Sequence, residues 1–250
     1  MTAKESKKQG WTDAELQDTW MAMIPVHVPS AILACVRQAV KEKHAENTDA
    51  AVFKGCTYET DAHVTVAMAL PAHHVLAIHP DVLAKLTPLR LGESVLITPP
   101  VYDTTRLHPD LLSAIADLKL GPSIRITLGR RHVLEQRDRK FEDGKLHSYD
   151  VVVMDVLASD GSPLRRLHEA LLKVGEVIHP FDEYRPHVTL AYVRAGTGQY
   201  IVEAMNHAIG TDTTAPPSYA VDAIVFKRFR DRTTPPLVLR FASENERLLV

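Results

Sequence analysis

The sequence predicts an α+β fold of two similar lobes. Each lobe is an antiparallel sheet with helices packed outside it, and a cleft lies between the two. Three observations carry this reading. One tripeptide occurs twice, as His63-Val64-Thr65 and as His187-Val188-Thr189. Each copy sits in an apolar run of strand character, Ala62 to Met68 and Pro186 to Val193. The elements around each copy follow one order: strand, helix, motif strand, helix, strands. Outside the tripeptide the halves share little identity, so what repeats is element order rather than sequence.

Taken along the chain, residues 1–12 are polar and read as disordered, and 13–250 as one domain with interleaved lobes. Met21 to Val26 predicts a strand. Ser30 is the expected N-cap of a helix, with Ile32, Leu33, Val36 and Val40 as its apolar stripe. The first motif strand follows a loop. Residues 71–120 read as an insertion. In it, His79-Pro80-Asp81 and His108-Pro109-Asp110 each look like a helix start, since Pro suits the first turn and Asp the positive end of the dipole. Ser94 to Ile97 predicts a strand between them. Ile124 to Val133 and Tyr149 to Leu157 predict a hairpin turned at Asp143-Gly144. Ser162-Pro163 starts a helix with Leu164, Leu167, Leu171 and Leu172 buried and Gly175 at its end. After the second motif strand come a helix near 199–209 and strands at 219–226 and 237–241.

The bulk numbers bound the function. The 250 residues are ample for a sizeable core, and 45% hydrophobic with 24% charged residues is ordinary globular composition. A net charge of -2 argues against a basic nucleic-acid coat without excluding a local basic cleft. No apolar run reaches membrane-spanning length, and the polar N-terminus lacks a secretory pattern. Two cysteines, Cys35 and Cys56, form no disulfide framework. A reducing compartment is the simpler expectation, though one disulfide fits as well. The chain is expected to be a cytoplasmic monomer, a nuclear location also being open, with no membrane partner.

The repeated tripeptide carries the chemistry. Side chains alternate along a strand, so His and Thr of each copy share one face while the central Val points to the core. Two copies offer two imidazoles and two hydroxyls to one cleft. Cleaving a phosphodiester needs one proton taken from the attacking oxygen and one given to the departing alkoxide. Histidine suits both tasks because its pKa lies near neutrality. Hydroxyls can donate to the phosphoryl oxygens as charge grows on them. The scheme asks for no metal and no cofactor. A single His-x-Thr would arise easily by chance among 13 histidines; two in matching places would not.

On these residues the chain resembles the 2H phosphoesterases, whose lobes each supply a strand with a His-x-Thr or His-x-Ser motif. The second copy, Arg185-Pro186-His187-Val188-Thr189-Leu190-Ala191, is especially similar to the family's pattern. The resemblance implies a bilobal fold and a metal-independent phosphodiesterase with His63, Thr65, His187 and Thr189 as catalytic residues. It implies substrates such as 2′,3′-cyclic phosphate ends of RNA, 2′,5′-linked oligonucleotides or small cyclic nucleotides. The motifs stand farther apart than in compact members of the family, and the excess is assigned to 71–120.

Three further residues are candidates for substrate binding. Arg185 shares the strand parity of His187 and can pair with phosphate, or it is a solvated arginine. Tyr58 and Tyr184 precede the motifs and can stack on bases, or they pack at lobe edges. Tyr192 has the parity of Val188 and reads as core. The basic runs 227–232 and 130–140 are read as charged hairpin ends. Two other functions stay open: an RNA-end or nucleotide-binding module without turnover, and a metal-dependent hydrolase built on His73, His74 and His79.

Overall fold

The computed structural model describes residues 19–45, 57–58, 61–80, 102–140, 146–177, 183–209, 217–229, 231 and 233–241. The expected disordered segment, the strand at 94–97, the helix after His79, the Asp143-Gly144 turn and Cys56 lie outside these residues.

Strand β1 (Thr19–Pro25) leads into helix α1 (Ser30–Ala45), then β2 (Thr57–Tyr58) and the first motif strand β3 (His63–Pro71). Helix α2 (Ala72–Val75), β4 (Leu76–Ile78), β5 (Tyr102–Leu107) and α3 (Pro109–Asp117) follow. The second half brings β6 (Ile124–Lys140), β7 (Leu146–Val156), α4 (Pro163–Val174), the second motif strand β8 (His187–Arg194) and α5 (Gly198–Ile209). Strands β9 (Ser218–Val221), β10 (Ala223–Arg228) and β11 (Leu237–Arg240) complete the order.

The main sheet is antiparallel and runs β11-β10-β1-β3-β8-β7-β6-β9, with β2 added to β8; β4 and β5 make a separate pair. The motif strands are therefore central neighbours. β9 pairs with β6 near one end of this order, and β10 pairs with β1 toward the other. Only Asp222 separates them. Consecutive Cα atoms lie roughly 3.8 Å apart, so the sheet must curl until β9, at one end, meets β10, next to the other end, at Asp222. The single strand expected over 219–226 is thus two strands toward opposite sides of the sheet, broken where Asp222 O accepts from Phe241 N at 2.7 Å.

Several sequence expectations hold in detail. Ser162 Oγ accepts from Arg165 N at the start of α4, with Pro163 in the first turn. His108 caps α3 through Nδ1, which accepts from Asp110 N at 3.2 Å. Ile32, Val36 and Val40 are buried and Leu33 packs against them. The hairpin forms, but its strands are longer than expected and pair as far as Lys140 and Leu146. Ser30 is the first helical residue rather than the cap, because Pro29 O already accepts from Ile32 N and Leu33 N. Part of the expected insertion belongs to the core, since Leu111 and Ile115 of α3 are buried and α3 packs on α4.

The helices cross over. α1, which links β1 to β3, packs on α5 and β8 of the second half; α4, which links β7 to β8, packs on β3 of the first. The helix face of the motif strands is sealed, with Val64, Leu190 and Val188 each 0% exposed and Val66 1%. Burying a side chain of this size contributes about 1.5–3 kcal/mol, so this face fixes which way the motif residues point. Asp150 of β7 is also buried and ties down the start of α5: its Oδ2 accepts from Gly196 N at 2.9 Å and Gly198 N at 2.8 Å. Gly198 has no room for a side chain, as a Cβ would lie 2.8 Å from both Asp150 Cβ and Val133 Cγ2.

Candidate active site

β3 and β8 meet at one ladder pair, Val64 opposite Val188. Counting outward in an antiparallel register, His63 lies opposite Thr189 and His187 opposite Thr65. All four residues are half-buried and alternate with the sealed Val64, Val66, Val188 and Leu190. The two imidazoles are therefore diagonal neighbours on the sheet face that turns away from the helices. Diagonal neighbours in such a ladder are roughly 7–8 Å apart, a span that admits one tetrahedral phosphate between two ring nitrogens.

The rings are held alike. His63 Nδ1 is 2.7 Å from Asp61 O, and His187 Nδ1 is 2.7 Å from Arg185 O. A carbonyl oxygen can only accept, so Nδ1 carries the proton in each ring. Nε2 is then the basic atom of the neutral form.

The strands are also bulged alike. Met23 pairs with Thr65 but Ala22 with Ala67, so Val66 is extra; Val153 pairs with Thr189 but Val152 with Ala191, so Leu190 is extra. Each bulge falls one residue after the motif threonine and gives both strands the same run of two successive buried residues. Bulges re-aim side chains next to active sites. The bulge also explains why Tyr192 is half-buried rather than core. It reverses the parity beyond Leu190 and sets the Tyr192 ring edge-on to Tyr149, 6.0 Å between centroids.

Beyond Val64 the edge of β3 is taken over by side chains. Tyr184 Oη donates to Thr65 O at 3.1 Å, and His168 of α4 holds Nδ1 2.5 Å from Val66 O. The two rings stack, centroids 3.8 Å apart and 6° from parallel. Tyr184 is thus a packing residue, its ring face occupied by His168, and burial pushes its phenol well above the usual range. His168, on the buried face of α4 between Leu164 and Leu171, was not singled out by sequence.

The other candidates fall as follows. The Arg185 side chain is exposed and pairs with Glu183, Nε to Oε2 at 3.1 Å. Its contact with the site is through its carbonyl, because strand parity does not extend to a residue that precedes β8. Tyr58 belongs to β2, where its backbone pairs with Ala191; its side chain is outside the described part. The His73 and His74 rings lie 4.1 Å apart on α2, tilted by 45°. Burial, then the His73 charge, holds His74 below the usual histidine range, and His108 adds to the effect. Among the described residues, no three His, Cys, Asp or Glu side chains gather as metal ligands. No described helix is long and apolar enough to cross a membrane. Asp231 accepts from Thr233 and Thr234 and pairs with Arg228 at 3.6 Å; of the basic run at 227–232, Arg230 and Arg232 lie outside the described residues.

Sequence reasoning missed Asp155 on β7, which is the ladder partner of His187. The signal was present: it is the one acid in the apolar run Val151-Val152-Val153-Met154-Asp155-Val156.

No family model matches the chain, and no curated protein matches it. Solved structures align along most of its length. E. coli LigT in complex with 3′-AMP is 14% identical, covering 90% of this chain and 95% of that one, with a TM-score of 0.33. Kluyveromyces marxianus Usb1 with uridine monophosphate is 10% identical, covering 90% and 98%, at 0.40. A protein of unknown function from Agrobacterium tumefaciens is 14% identical, covering 89% and 84%, at 0.41. Likeness at this level says nothing of what the chain does; the site has to speak for itself.

Proposed function

We propose that this chain is a two-histidine phosphodiesterase of the 2H phosphoesterase superfamily. Its substrate is a cyclic phosphate or a 2′-linked phosphodiester at an RNA end or in a small nucleotide. The observation that carries the reading is the Val64–Val188 pair, which sets His63 and His187 diagonally on one open face with matching hydrogen bonds. In this reading the strand groups on either side of that pair are the two lobes.

In this reading the phosphate sits between the imidazoles. One Nε2 takes a proton from water as the water oxygen bonds to phosphorus. The other ring gives its proton to the alkoxide as the P–O bond to the ribose breaks. Thr65 and Thr189 donate to the non-bridging oxygens, where charge grows. No cofactor enters the scheme.

The test is hydrolysis by purified protein in excess EDTA. The panel is 2′,3′-cyclic mononucleotides, a 2′,5′-linked oligoadenylate and a cyclic dinucleotide, with His63→Ala and His187→Ala alongside. Turnover of one substrate, lost in both variants, is the expected result. Turnover abolished by EDTA would overturn it in favour of a metal hydrolase. Binding without turnover would favour a nucleotide-binding module.

A further inference from the structure

The two halves of the site match closely except at one pair of positions. On β1 the ladder partners of Thr65, Val64 and His63 are Met23, Ile24 and Pro25. On β7 the partners of Thr189, Val188 and His187 are Val153, Met154 and Asp155. Apolar residues match apolar ones until the last pair. There His63 faces Pro25, which has no charge, and His187 faces a carboxylate.

Asp155 is placed with care. Its Oδ2 lies 3.7 Å from His132 Nδ1 on β6, and that nitrogen is buried with no hydrogen-bond partner among the described residues. On its other flank is Gly129, where a Cβ would come within 3.2 Å of Asp155 Cβ and 2.9 Å of Leu157 Cδ2. Gly129 leaves space for the acid, and His132 stands behind it.

We propose that Asp155 is a positioning residue that draws the cleft's proton onto His187. His187 is then the proton donor to the leaving alkoxide and His63 the acceptor from water. The assignment of roles rests on the phosphodiesterase reading; the placement of the proton does not. The physical reason is Coulombic. A carboxylate within about 4–6 Å favours imidazolium, and facing residues of a ladder bring their Cβ atoms to roughly 4.5–5.5 Å.

Among the described residues, the other groups near the two rings are these. Glu183 and Arg185, ahead of β8, carry opposite charges and pair with each other. Thr65 and Thr189 are neutral. Asp61 meets His63 through its main-chain carbonyl, as Arg185 meets His187, and its own carboxylate, exposed to solvent ahead of β3, is the acid on the His63 side that Asp155 has to outweigh. His132 opposes the effect only when it is itself protonated.

The experiment is an NMR titration of the imidazoles of the full chain, assigned with His63→Gln and His187→Gln, without substrate. His187 should titrate about one pH unit or more above His63. Asp155→Asn should lower the His187 midpoint by about one unit and leave that of His63 in place, while Asp155→Glu restores part of the difference. Equal midpoints in the unsubstituted protein, or His63 above His187, would overturn the proposal even if Asp155→Asn does not fold. The pH profile of kcat/KM gives a second readout, in which Asp155→Asn moves the high-pH limb down and spares the low-pH limb. Because the titration needs no substrate, loss of the phosphodiesterase reading and loss of this proposal would be seen separately.

Discussion

His63 and His187 each place Nδ1 2.7 Å from the carbonyl oxygen two residues upstream, Asp61 in one case and Arg185 in the other. The bond fixes both tautomer and ring plane from a main-chain atom, so the local turn into each strand orients the ring. Replacing either histidine with alanine should cut kcat by about 10²- to 10⁴-fold, the usual range for a positioned acid or base. The thermal midpoint should move little, since both rings are only half-buried. The double variant should be little worse than either single one, because groups that act as a unit are not additive. Steady-state kinetics and calorimetry on the three proteins check this.

Thr65 and Thr189 lie opposite the histidines of the other strand, by the register of Val64 on Val188. Thr→Val keeps the shape and removes the donor. Each substitution should lower kcat by about 10²- to 10³-fold, as loss of one oxyanion donor does. KM should change less, because the extra charge on the phosphoryl oxygens develops only toward the transition state.

The sequence made the motif strands, the helix starts and the shared face of His and Thr legible, because these follow from local periodicity, capping and alternation. The bulges at Val66 and Leu190 were not legible. Nothing in Val66-Ala67 or Leu190-Ala191 marks an extra residue, and the consequence was a wrong face for Tyr192. Asp155 is a partner only through pairing across strands, which depends on register. The break at Asp222 follows from curling of the whole sheet, and no local signal announces that. Tyr184 and His168 are 16 residues apart in a sequence that gives no sign of their stack.

Asp150 and Gly198 hold the start of α5. Asp150→Ala removes acceptors from Gly196 N and Gly198 N, which are then left next to a buried site. The loss should be about 2–4 kcal/mol, two charge-assisted bonds at roughly 1.5–3 kcal/mol each with partial recovery by water. Gly198→Ala should also destabilise, since its Cβ would sit 2.8 Å from Asp150 Cβ. Urea unfolding should show a lower midpoint at an unchanged m-value for both.

Two tyrosines make opposite demands on the same substitution. Tyr184 donates to Thr65 O and stacks on His168, whereas the Tyr219 hydroxyl is buried with no partner among the described residues. Tyr184→Phe should cost about 0.5–1.5 kcal/mol for the lost bond. Tyr219→Phe should be neutral or stabilising, as it removes a desolvated hydroxyl with nothing to bond. Burial raises both phenols, Tyr219 to about 12 and Tyr184 further. The native state therefore keeps these protons to higher pH than the unfolded chain does. Their contribution is fully present below the ordinary value of 10.0 and is lost as pH rises through 12 and above. Stability measured from pH 8 to 12 should fall beyond pH 10, and the fall should be shallower in either Phe variant. An unchanged slope in both would place the alkaline sensitivity elsewhere in the fold.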